Sequence, residues 1–541
     1  MNSLAGRPSS RFAGVLLLAS SLVFAAPALP QEVNSDAPAT VARPVEQGKF
    51  TLHKFEQPIG EETYTISSDG DALAVNMEFK FTDRGAAVPL SATFRSNKDW
   101  SPLAFEIKGK NSRSTFIDEA VEVNPTGVRV RDREKWTEAA KPQQFFTIAG
   151  YAPTTMQMLM VRYWATHGSP AQLTTLPTGT VKIEPRGQDV IKIDGKDQTL
   201  DRYTVEGLIW GRESLWFDSN RNLVAAVTID AEFDHFEAIR EGYESGLGQF
   251  VGRAGTDGMA ALAELSKGIS GSHADTIALV GGTLIDGTSA APVPDSVVVI
   301  AKGRILAAGP KSSVKIPHGA QKIDVHGKFI LPGLWDMHAH FEQVEWGPIY
   351  LAAGATTVRD CGNEFEFITA VRDAVASGQG LGPRLELAGI VDGTGPLAIG
   401  VARVDTPEEA KMWVDKYHDA GFQQMNRRGV SKYVRGNSLR LAVGTVLDYW
   451  FSVSPHEFVN TKSCQGTSLT RGENRVLAAG AGHLIQKTTQ ECRSLGPQRT
   501  IAPLVALPMQ MHPWVWTELK IRGAKVGDLL HTRTSVVEKQ Q

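Results

Sequence analysis

The stretch Leu331-Pro-Gly-Leu-Trp-Asp-Met-His-Ala-His340 decides how this chain is expected to fold. Side chains on a β-strand alternate between its two faces, so Asp336, His338 and His340 lie on one face of the predicted strand. Two imidazole groups therefore converge on one point. Neutral imidazole is a frequent ligand of zinc and similar divalent metals, which makes His338 and His340 the candidate metal ligands.

A His-X-His pair can also be simple polarity on an exposed strand. The residues before this pair are apolar, and the apolar end of a strand is an unfavourable place for imidazole groups without partners. A metal site is therefore the favoured interpretation. The sequence identifies no catalytic acid or base.

Downstream of this stretch, short apolar strands alternate with amphipathic helices. Strands are predicted at residues 355–360 and 384–388, and helices at residues 366–376 and 406–420. Such alternation is typical of a parallel sheet, here a partial TIM-like (β/α) barrel over residues 331–425. Glycine-punctuated strands at residues 273–330 predict a small β-sandwich in front of the barrel.

The upstream region is expected to form separate units. Alternating apolar and polar positions predict a mainly antiparallel β domain over residues 50–228. Phe236, Ile239 and Tyr243 have helical spacing, which predicts a helical connector over residues 229–272. The predicted fold class is thus a multidomain α/β plus β protein.

The N-terminus has the pattern of a secretory signal over residues 1–28. Arg7 and Arg11 precede an apolar run, and Ala26-Pro27-Ala28 supplies small residues at cleavage spacing. An uncleaved membrane anchor is the alternative. A flexible linker is predicted over residues 29–49. We expect an exported protein, periplasmic or extracellular, with no membrane contact beyond the signal segment.

Composition limits the partners of the chain. Its 541 residues carry 56 Lys and Arg against 59 Asp and Glu, so the net charge of −3 does not indicate a nucleic-acid partner. A small molecule is the expected partner. The three cysteines, Cys361, Cys464 and Cys492, match no zinc-ligand spacing and do not predict a disulfide-rich scaffold.

Residues 277–421 resemble the metal-dependent amidohydrolase superfamily, in particular its imidazolonepropionase-like and prolidase-like members. The matching motifs are Val280-Gly-Gly-Thr-Leu-Ile-Asp-Gly, the block from Val325 through His340, Gly354-Ala-Thr-Thr-Val-Arg-Asp and Gly382-Pro-Arg-Leu. Together they are far more specific than His-X-His alone. They cover roughly a quarter of the chain.

The resemblance implies a distorted eight-stranded barrel beside a small β-sandwich, with His338 and His340 as metal ligands on the first strand. It also implies one or two divalent metal ions, zinc foremost, that acidify a bound water and polarise a carbonyl. The other ligands would be a lysine or glutamate on the fourth strand, histidines on the next two and an aspartate on the eighth. The implied substrate is a small amide, cyclic amide or dipeptide.

The family pattern stops near residue 425. Residues 426–541 contain 16 Lys and Arg against 7 Asp and Glu, whereas residues 1–425 contain 40 against 52. Our hypothesis is that this atypical tail comes from a shifted reading frame, which translation of the coding DNA in the other two frames tests. The competing hypothesis is a divergent tail that completes the barrel. His456, His483, His512 and His531 follow no convincing strand, and His418 is expected on a solvated helix face.

Two functions follow from these patterns. The first is metal-dependent hydrolysis of a carbon–nitrogen bond, an activity that this particular chain can lack because later ligands are not recognisable. The second is an exported, non-catalytic protein that binds an apolar ligand in its β domain. Trp210, Trp216 and Phe217 are expected to pack in the core of that domain. Asp230, Glu232 and Asp234 are expected to form a solvated charged face.

Overall fold

The computed structural model describes residues 44–428, except for residues 84, 111–115, 178, 269–273, 395–397 and 399. The predicted signal, residues 1–28, and nearly all of the predicted tail lie outside this range, and so do Cys464, Cys492 and the four tail histidines. None of the helices within it combines the length and the apolar character needed to cross a bilayer.

A 15-stranded sheet forms the N-terminal half of the described chain. Its strands are β1 (Pro44–Lys54), β2 (Gln57–Asp69), β3 (Ala72–Asp83), β4 (Ala86–Asn97), β5 (Pro102–Lys110), β6 (Phe116–Val123), β7 (Gly127–Asp132), β8 (Lys135–Ala140), β9 (Phe145–Thr147), β10 (Leu173–Leu176), β11 (Thr180–Ile193), β12 (Lys196–Glu206), β13 (Arg212–Phe217), β14 (Leu223–Ile229) and β15 (His235–Arg240). The spatial order runs from β8 to β1 and then from β15 to β9.

Alternating sequence patterns account for most of these strands. In β4, Val88, Leu90, Ala92 and Phe94 are buried while the residues between them are exposed. Neighbouring strands pair antiparallel, for example with Leu52 of β1 opposite Ala238 of β15, and only β9 and β10 pair in parallel. The prediction of a β-rich N-terminal region is confirmed.

One helix within this region was not predicted from the sequence. Helix α1 (Thr154–Thr166) packs in the large core of the sheet, and its residues from Thr154 to Trp164 are all buried. A helix that is covered on every side has no polar stripe, so the 3.6-residue period that reveals amphipathic helices is missing. The buried carboxylate of Glu62 accepts hydrogen bonds from the backbone amides of Thr154 and Thr155, each at 2.7 Å.

The predicted helical connector over residues 229–272 is wrong at its start. Residues 235–240 form strand β15, and helix α2 (Leu247–Lys267) begins later. Phe236 packs in the core around α1, whereas Ile239 packs in a second core on the opposite face. Because both faces of this central strand are buried, its apolar residues do not alternate and mimic helical spacing.

The predicted flexible linker over residues 29–49 is also wrong for residues 44–49. These residues belong to β1, which pairs with β2. Glu46 is fixed there by Arg162 of α1, with 2.9 Å between Nη1 and Oε2, and by the Tyr64 hydroxyl at 2.7 Å. Residues 44–49 are polar and include a proline, but backbone pairing with β2 and the ion pair to Arg162 hold them in a strand.

A second, five-stranded sheet follows α2. It consists of β16 (Thr276–Leu284), β17 (Val293–Ala301), β18 (Arg304–Pro310), β19 (Gln321–Asp324) and β20 (Phe329–Ile330). β16 pairs antiparallel with β17 and parallel with β19 and β20. Ala278, Val297 and Val299 form its small core. The strands agree with the glycine-punctuated pattern.

The third sheet is parallel and alternates with helices. Its elements are β21 (Leu334–Ala339), α3 (Trp346–Ala352), β22 (Ala355–Asp360), α4 (Phe365–Ala376), β23 (Arg384–Asp392), β24 (Ala402–Arg403), α5 (Pro407–Asp419) and β25 (Gln424–Arg428). β22 lies between β21 and β23, and β23 also pairs with β24 and β25. The predicted strands and the helices near residues 366–376 and 406–420 are confirmed.

One hydrophobic core joins the first and third sheets. It contains Trp216 and Ile239 from the large sheet and Phe250 from α2. The third sheet contributes Val358, and helix α4 contributes Phe367. The large sheet is therefore covered on both faces. Helix α1 packs on one face, and α2 and α4 pack on the other. This arrangement fixes the parallel strand ends against β15.

Candidate functional site

The two predicted metal ligands lie at the C-terminal end of β21. His338 is within the strand, and His340 follows its last residue. Their ring centroids are 5.5 Å apart, with an angle of 68° between the ring planes. Both side chains are exposed, whereas Ala339 between them is buried. The alternation expected from the sequence thus holds at these positions, and the two rings are neighbours.

A backbone carbonyl positions the His340 ring. Nδ1 of His340 lies 3.3 Å from the carbonyl oxygen of Gly362, at the end of the neighbouring strand β22. A carbonyl only accepts, so we assign the proton to Nδ1, which leaves the lone pair on Nε2 for a ligand. Asp336 accepts a hydrogen bond from the backbone amide of His338 at 3.1 Å.

Asp360 organises the strand ends, and sequence reasoning did not single it out. It is 1% exposed at the end of β22. Its Oδ2 accepts the backbone amide of Phe341 at 2.8 Å, and its Oδ1 accepts the amide of Gly362 at 3.0 Å. Because these donors occupy both oxygens, Asp360 ties the segment after His340 to the segment after β22. Asp360 is the polar residue that ends the apolar strand segment Val358-Arg-Asp, and this position in the sequence could have identified it as a residue of the site.

The donor chemistry at His338 and His340 fits a divalent cation of the zinc type. A catalytic zinc site has three protein ligands and a structural site has four. In the described part of the chain, no third His, Cys, Asp or Glu joins these two imidazoles closely enough to form a ligand group. Their assignment as metal ligands therefore stays a prediction. Strand β25 (Gln424–Arg428), where the resemblance implies the fourth-strand ligand, contains neither lysine nor glutamate.

A buried cluster of charges lies beside these strand ends. Lys54 is buried, and its Nζ lies 2.9 Å from Asp230 Oδ2, 2.7 Å from Asp234 Oδ2 and 3.1 Å from Asp83 Oδ2. Glu232 Oε2 is 3.9 Å from the same nitrogen. The prediction of a solvated acidic face is wrong, because the carboxylates converge on a lysine that lies 176 residues from Asp230 along the chain.

The acidic cluster extends to Glu342, two residues after His340. Burial raises the pKa of Glu342 well above its ordinary value, and the carboxylates of Asp234 and Asp360 raise it further. The residue keeps some exposed surface, but its carboxylate lies in dense protein and next to other acids. Glu342 therefore favours its protonated form next to the ionised acids that surround Lys54.

Apart from Cys361, whose backbone amide donates to the Ala339 carbonyl at 2.9 Å, the other residues considered from the sequence lie away from this site. His418 is exposed on α5 beside Asp419, with 3.2 Å between Nδ1 and Oδ1, as expected for a solvated helix residue. Cys361 is buried, and burial raises the pKa of its thiol, which disfavours a nucleophilic thiolate. Trp216 and Phe217 pack in the cores as predicted.

Trp210 departs from its prediction. It lies in a bend between β12 and β13, is 38% exposed and lines a cavity of about 250 Å³. Apolar side chains, among them Phe79, Leu90 and Leu208, form most of the cavity wall, to which Lys110 adds a cationic group and Asp230 a carboxyl group. The ring of Trp210 also lies 5.5 Å from that of Trp346 in α3. The cavity therefore adjoins the third sheet and its helices, residues 334–428, which are called the hydrolase-like region below because the sequence resemblance falls partly on them.

Comparisons with known proteins agree with the motif. An adenine deaminase of Paracoccus denitrificans (strain Pd 1222) is 30% identical over 103 residues, which is 18% of this chain and 17% of that protein. A 5-methylthioadenosine/S-adenosylhomocysteine deaminase of Symbiobacterium thermophilum is 34% identical over 67 residues, 12% of this chain and 15% of that protein. The chain thus spans about a sixth of these relatives. No model of a protein family matches it.

A solved structure of a putative prolidase from Bifidobacterium longum is 22% identical, with a TM-score of 0.30, and covers 32% of this chain and 47% of that one. A TM-score of this size does not establish a common fold. The assignment instead follows from the two sequence matches together with the block of residues that ends in His338 and His340. Over part of its length, this chain is similar in sequence to members of the metal-dependent amidohydrolase superfamily.

Proposed function

We propose that this chain is built for metal-dependent hydrolysis of a carbon–nitrogen bond in a small amide, cyclic amide or dipeptide. The observation that carries the proposal is the 5.5 Å separation of the His338 and His340 rings at the C-terminal end of a parallel strand. Reactive groups of parallel β/α barrels collect at that end of the strands. We further propose that the parallel sheet is the first part of such a barrel.

His338 and His340 would hold the metal, zinc first among the candidates. When bound, the metal supplies Lewis acidity for the hydrolysis of a carbonyl-type substrate. The residues of this chain contribute orientation. The Gly362 carbonyl selects the tautomer of His340. Asp360 accepts the backbone amides of Phe341 and Gly362 and so holds the segments after β21 and β22 together beside the two histidines.

The proposal is tested with full-length protein, added zinc and two substrate sets, N-acyl amino acids and Xaa-Pro dipeptides. We expect the combined substitutions His338→Ala and His340→Ala to lower kcat/KM by at least about 100-fold, since two metal ligands are removed. His418→Ala, an exposed histidine on α5, is the matched control and should leave the rate unchanged. Hydrolysis that survives the double substitution would disprove this assignment.

The cavity beside Trp210 favours a second function, the binding of a small apolar ligand by the large sheet. Its apolar wall and Lys110 fit a molecule with a hydrocarbon body and an anionic end. Calorimetric titration with octanoate tests this. We expect Lys110→Met to weaken binding about tenfold, whereas Lys108→Met, on the same strand, should not. Equal binding by both variants would exclude a role for Lys110.

We also propose that the protein is exported, because residues 1–28 contain basic, then apolar, then small residues in the succession of a secretory signal. Cell fractionation and N-terminal sequencing of the purified protein test it. An N-terminus beyond residue 26 in the exported fraction supports the proposal, and full-length protein confined to the cytoplasm contradicts it.

A further inference from the structure

Three ligand-type side chains meet in the protein interior, away from the exposed pair of histidines. His235 and Glu237 are two residues apart on β15 and share the strand face that packs against the third sheet. Glu364 immediately precedes α4. One ligand atom from each of the three side chains lies within 4.8 Å of the others. The cluster thus joins the large sheet to the hydrolase-like region.

These side chains are excluded from solvent. His235 is 2% exposed, and Glu237 and Glu364 are 0% exposed. The rings of Phe55 and Phe367 lie 5.9 Å and 4.6 Å from the His235 ring and form apolar walls. Ionised carboxylates are costly in such surroundings unless a cation or several hydrogen-bond donors neutralise them.

The hydrogen bonds within the cluster do not satisfy its oxygens. Glu237 Oε2 accepts the backbone amide of Glu56 at 3.1 Å, but Glu237 Oε1 and both oxygens of Glu364 have no hydrogen-bond partner. Nδ1 of His235 lies 2.9 Å from Glu364 Oε2 but is not aligned for a hydrogen bond. Three buried acceptor atoms in this cluster therefore lack a well-aligned hydrogen bond.

Further carboxyl groups surround the cluster. Glu56 and Glu366 are close to the cluster, and the nearby Lys416 is paired with Glu366, with 3.1 Å between Nζ and Oε1. Burial and the neighbouring carboxylates raise the pKa of both Glu237 and Glu364 well above the ordinary value. Burial lowers the pKa of His235 to about 4, which keeps the imidazole neutral.

We propose that His235, Glu237 and Glu364 form an interior binding site for a divalent cation of the zinc class. Neutral imidazole and two carboxylates are suitable ligands for this class, and two negative charges balance one divalent ion. Ligand atoms around tetrahedral zinc are roughly 3.4 Å apart, and the three ligand atoms here lie within 4.8 Å of one another. The ion would link β15 to the start of α4 and stabilise the contact between the two regions.

The site is tested in full-length protein that carries His338→Ala and His340→Ala, so that the exposed histidines contribute no binding. After treatment with EDTA and equilibration with zinc chloride, we expect about one zinc ion per chain after gel filtration, and a higher Tm than in EDTA. Adding Glu237→Gln and Glu364→Gln should abolish both effects. Glu213→Gln, which changes another fully buried glutamate, should preserve both.

The alternative is that Glu237 and Glu364 share a proton and bind no metal. Absence of retained zinc together with an unchanged Tm in the background protein would establish that alternative, and zinc retained after both glutamine substitutions would equally overturn the site. Titration of the His338→Ala and His340→Ala protein with cobalt chloride, followed by visible absorption, tests the site without any substitution at a buried position. Visible absorption bands that saturate at one equivalent support the site, and a spectrum identical to aqueous cobalt contradicts it.

Discussion

Glu213 is a buried glutamate whose carboxyl group is held by hydrogen bonds from neighbouring side chains. It is 0% exposed, and its Oε1 accepts Gln157 Nε2 at 2.8 Å and Thr228 Oγ1 at 3.0 Å. Its Oε2 is buried without a hydrogen-bond partner. Burial raises the pKa of this carboxyl to about 7, from an ordinary value of 4.5. Folding therefore favours the protonated form.

This raised pKa predicts the sign of a pH dependence. Below pH 4.5 the group is protonated in both the folded and the unfolded chain. Between pH 4.5 and 7 the unfolded chain loses the proton first, so stability falls as pH rises, by up to about 3 kcal/mol. We expect Glu213→Gln to remove this loss, so that the variant gains stability relative to wild type between pH 5 and pH 8.

Urea unfolding at pH 5 and pH 8 measures the change. Glu61→Gln is the control, because Glu61 is half-exposed and forms ion pairs with the surface residues Lys49 and Lys80. A difference between Glu213→Gln and wild type that is equal at the two pH values would contradict the prediction.

Two glycines of helix α2 differ in how closely neighbouring side chains pack against them. A Cβ added at Gly258 would lie 2.8 Å and 2.9 Å from the two methyl carbons of Val344, which belongs to the shared core. A Cβ added at Gly252 would lie no closer than 3.5 Å to any atom, the nearest being Glu366 Cβ. The same helix therefore contains one glycine that packing requires and one that it does not.

We expect alanine substitutions at the two glycines to have opposite effects. Gly258→Ala should destabilise the protein by about 1–2 kcal/mol, because the clash with Val344 exceeds the helix propensity gained. Gly252→Ala should stabilise it by about 0.5–1 kcal/mol, because the propensity gain meets no clash. Denaturant midpoints of the two variants provide the comparison. Stabilisation by both substitutions would show that α2 can move away from Val344 without cost.

At the scale of the whole molecule, the large sheet and the hydrolase-like region depend on one core. Phe250 of α2 is 0% exposed, and its ring lies 5.1 Å from that of Trp216 in the large sheet. The same core includes Phe341 and Val358 of the third sheet. Loss of packing at Phe250 therefore acts on both regions.

Phe250→Ala should lower the free energy of unfolding by about 3–5 kcal/mol, since it leaves a large cavity. We expect circular dichroism and tryptophan fluorescence to report one transition that shifts as a unit, which is the behaviour of a shared core. Leu265→Ala, an exposed position on the same helix, is the control. Two separated transitions of which only one moves would show that the regions unfold independently.

The sequence alone determined those features that depend on local periodicity. The alternation in β4, the strand that bears His338 and the helices α4 and α5 followed from patterns that repeat every two or 3.6 residues. The neighbouring placement of His338 and His340 also followed, because side chains two apart on a strand share a face. Their role as metal ligands remains a prediction.

Only the tertiary structure decided the features that depend on contacts far apart in sequence. Helix α1 and strand β15 are buried on both sides, which removes the polar face that would have revealed their type. Lys54 meets Asp230 across 176 residues, and His235 meets Glu364 across the joint between two sheets. Burial of both faces and long-range pairing leave no local period, and so folding alone brought these groups together.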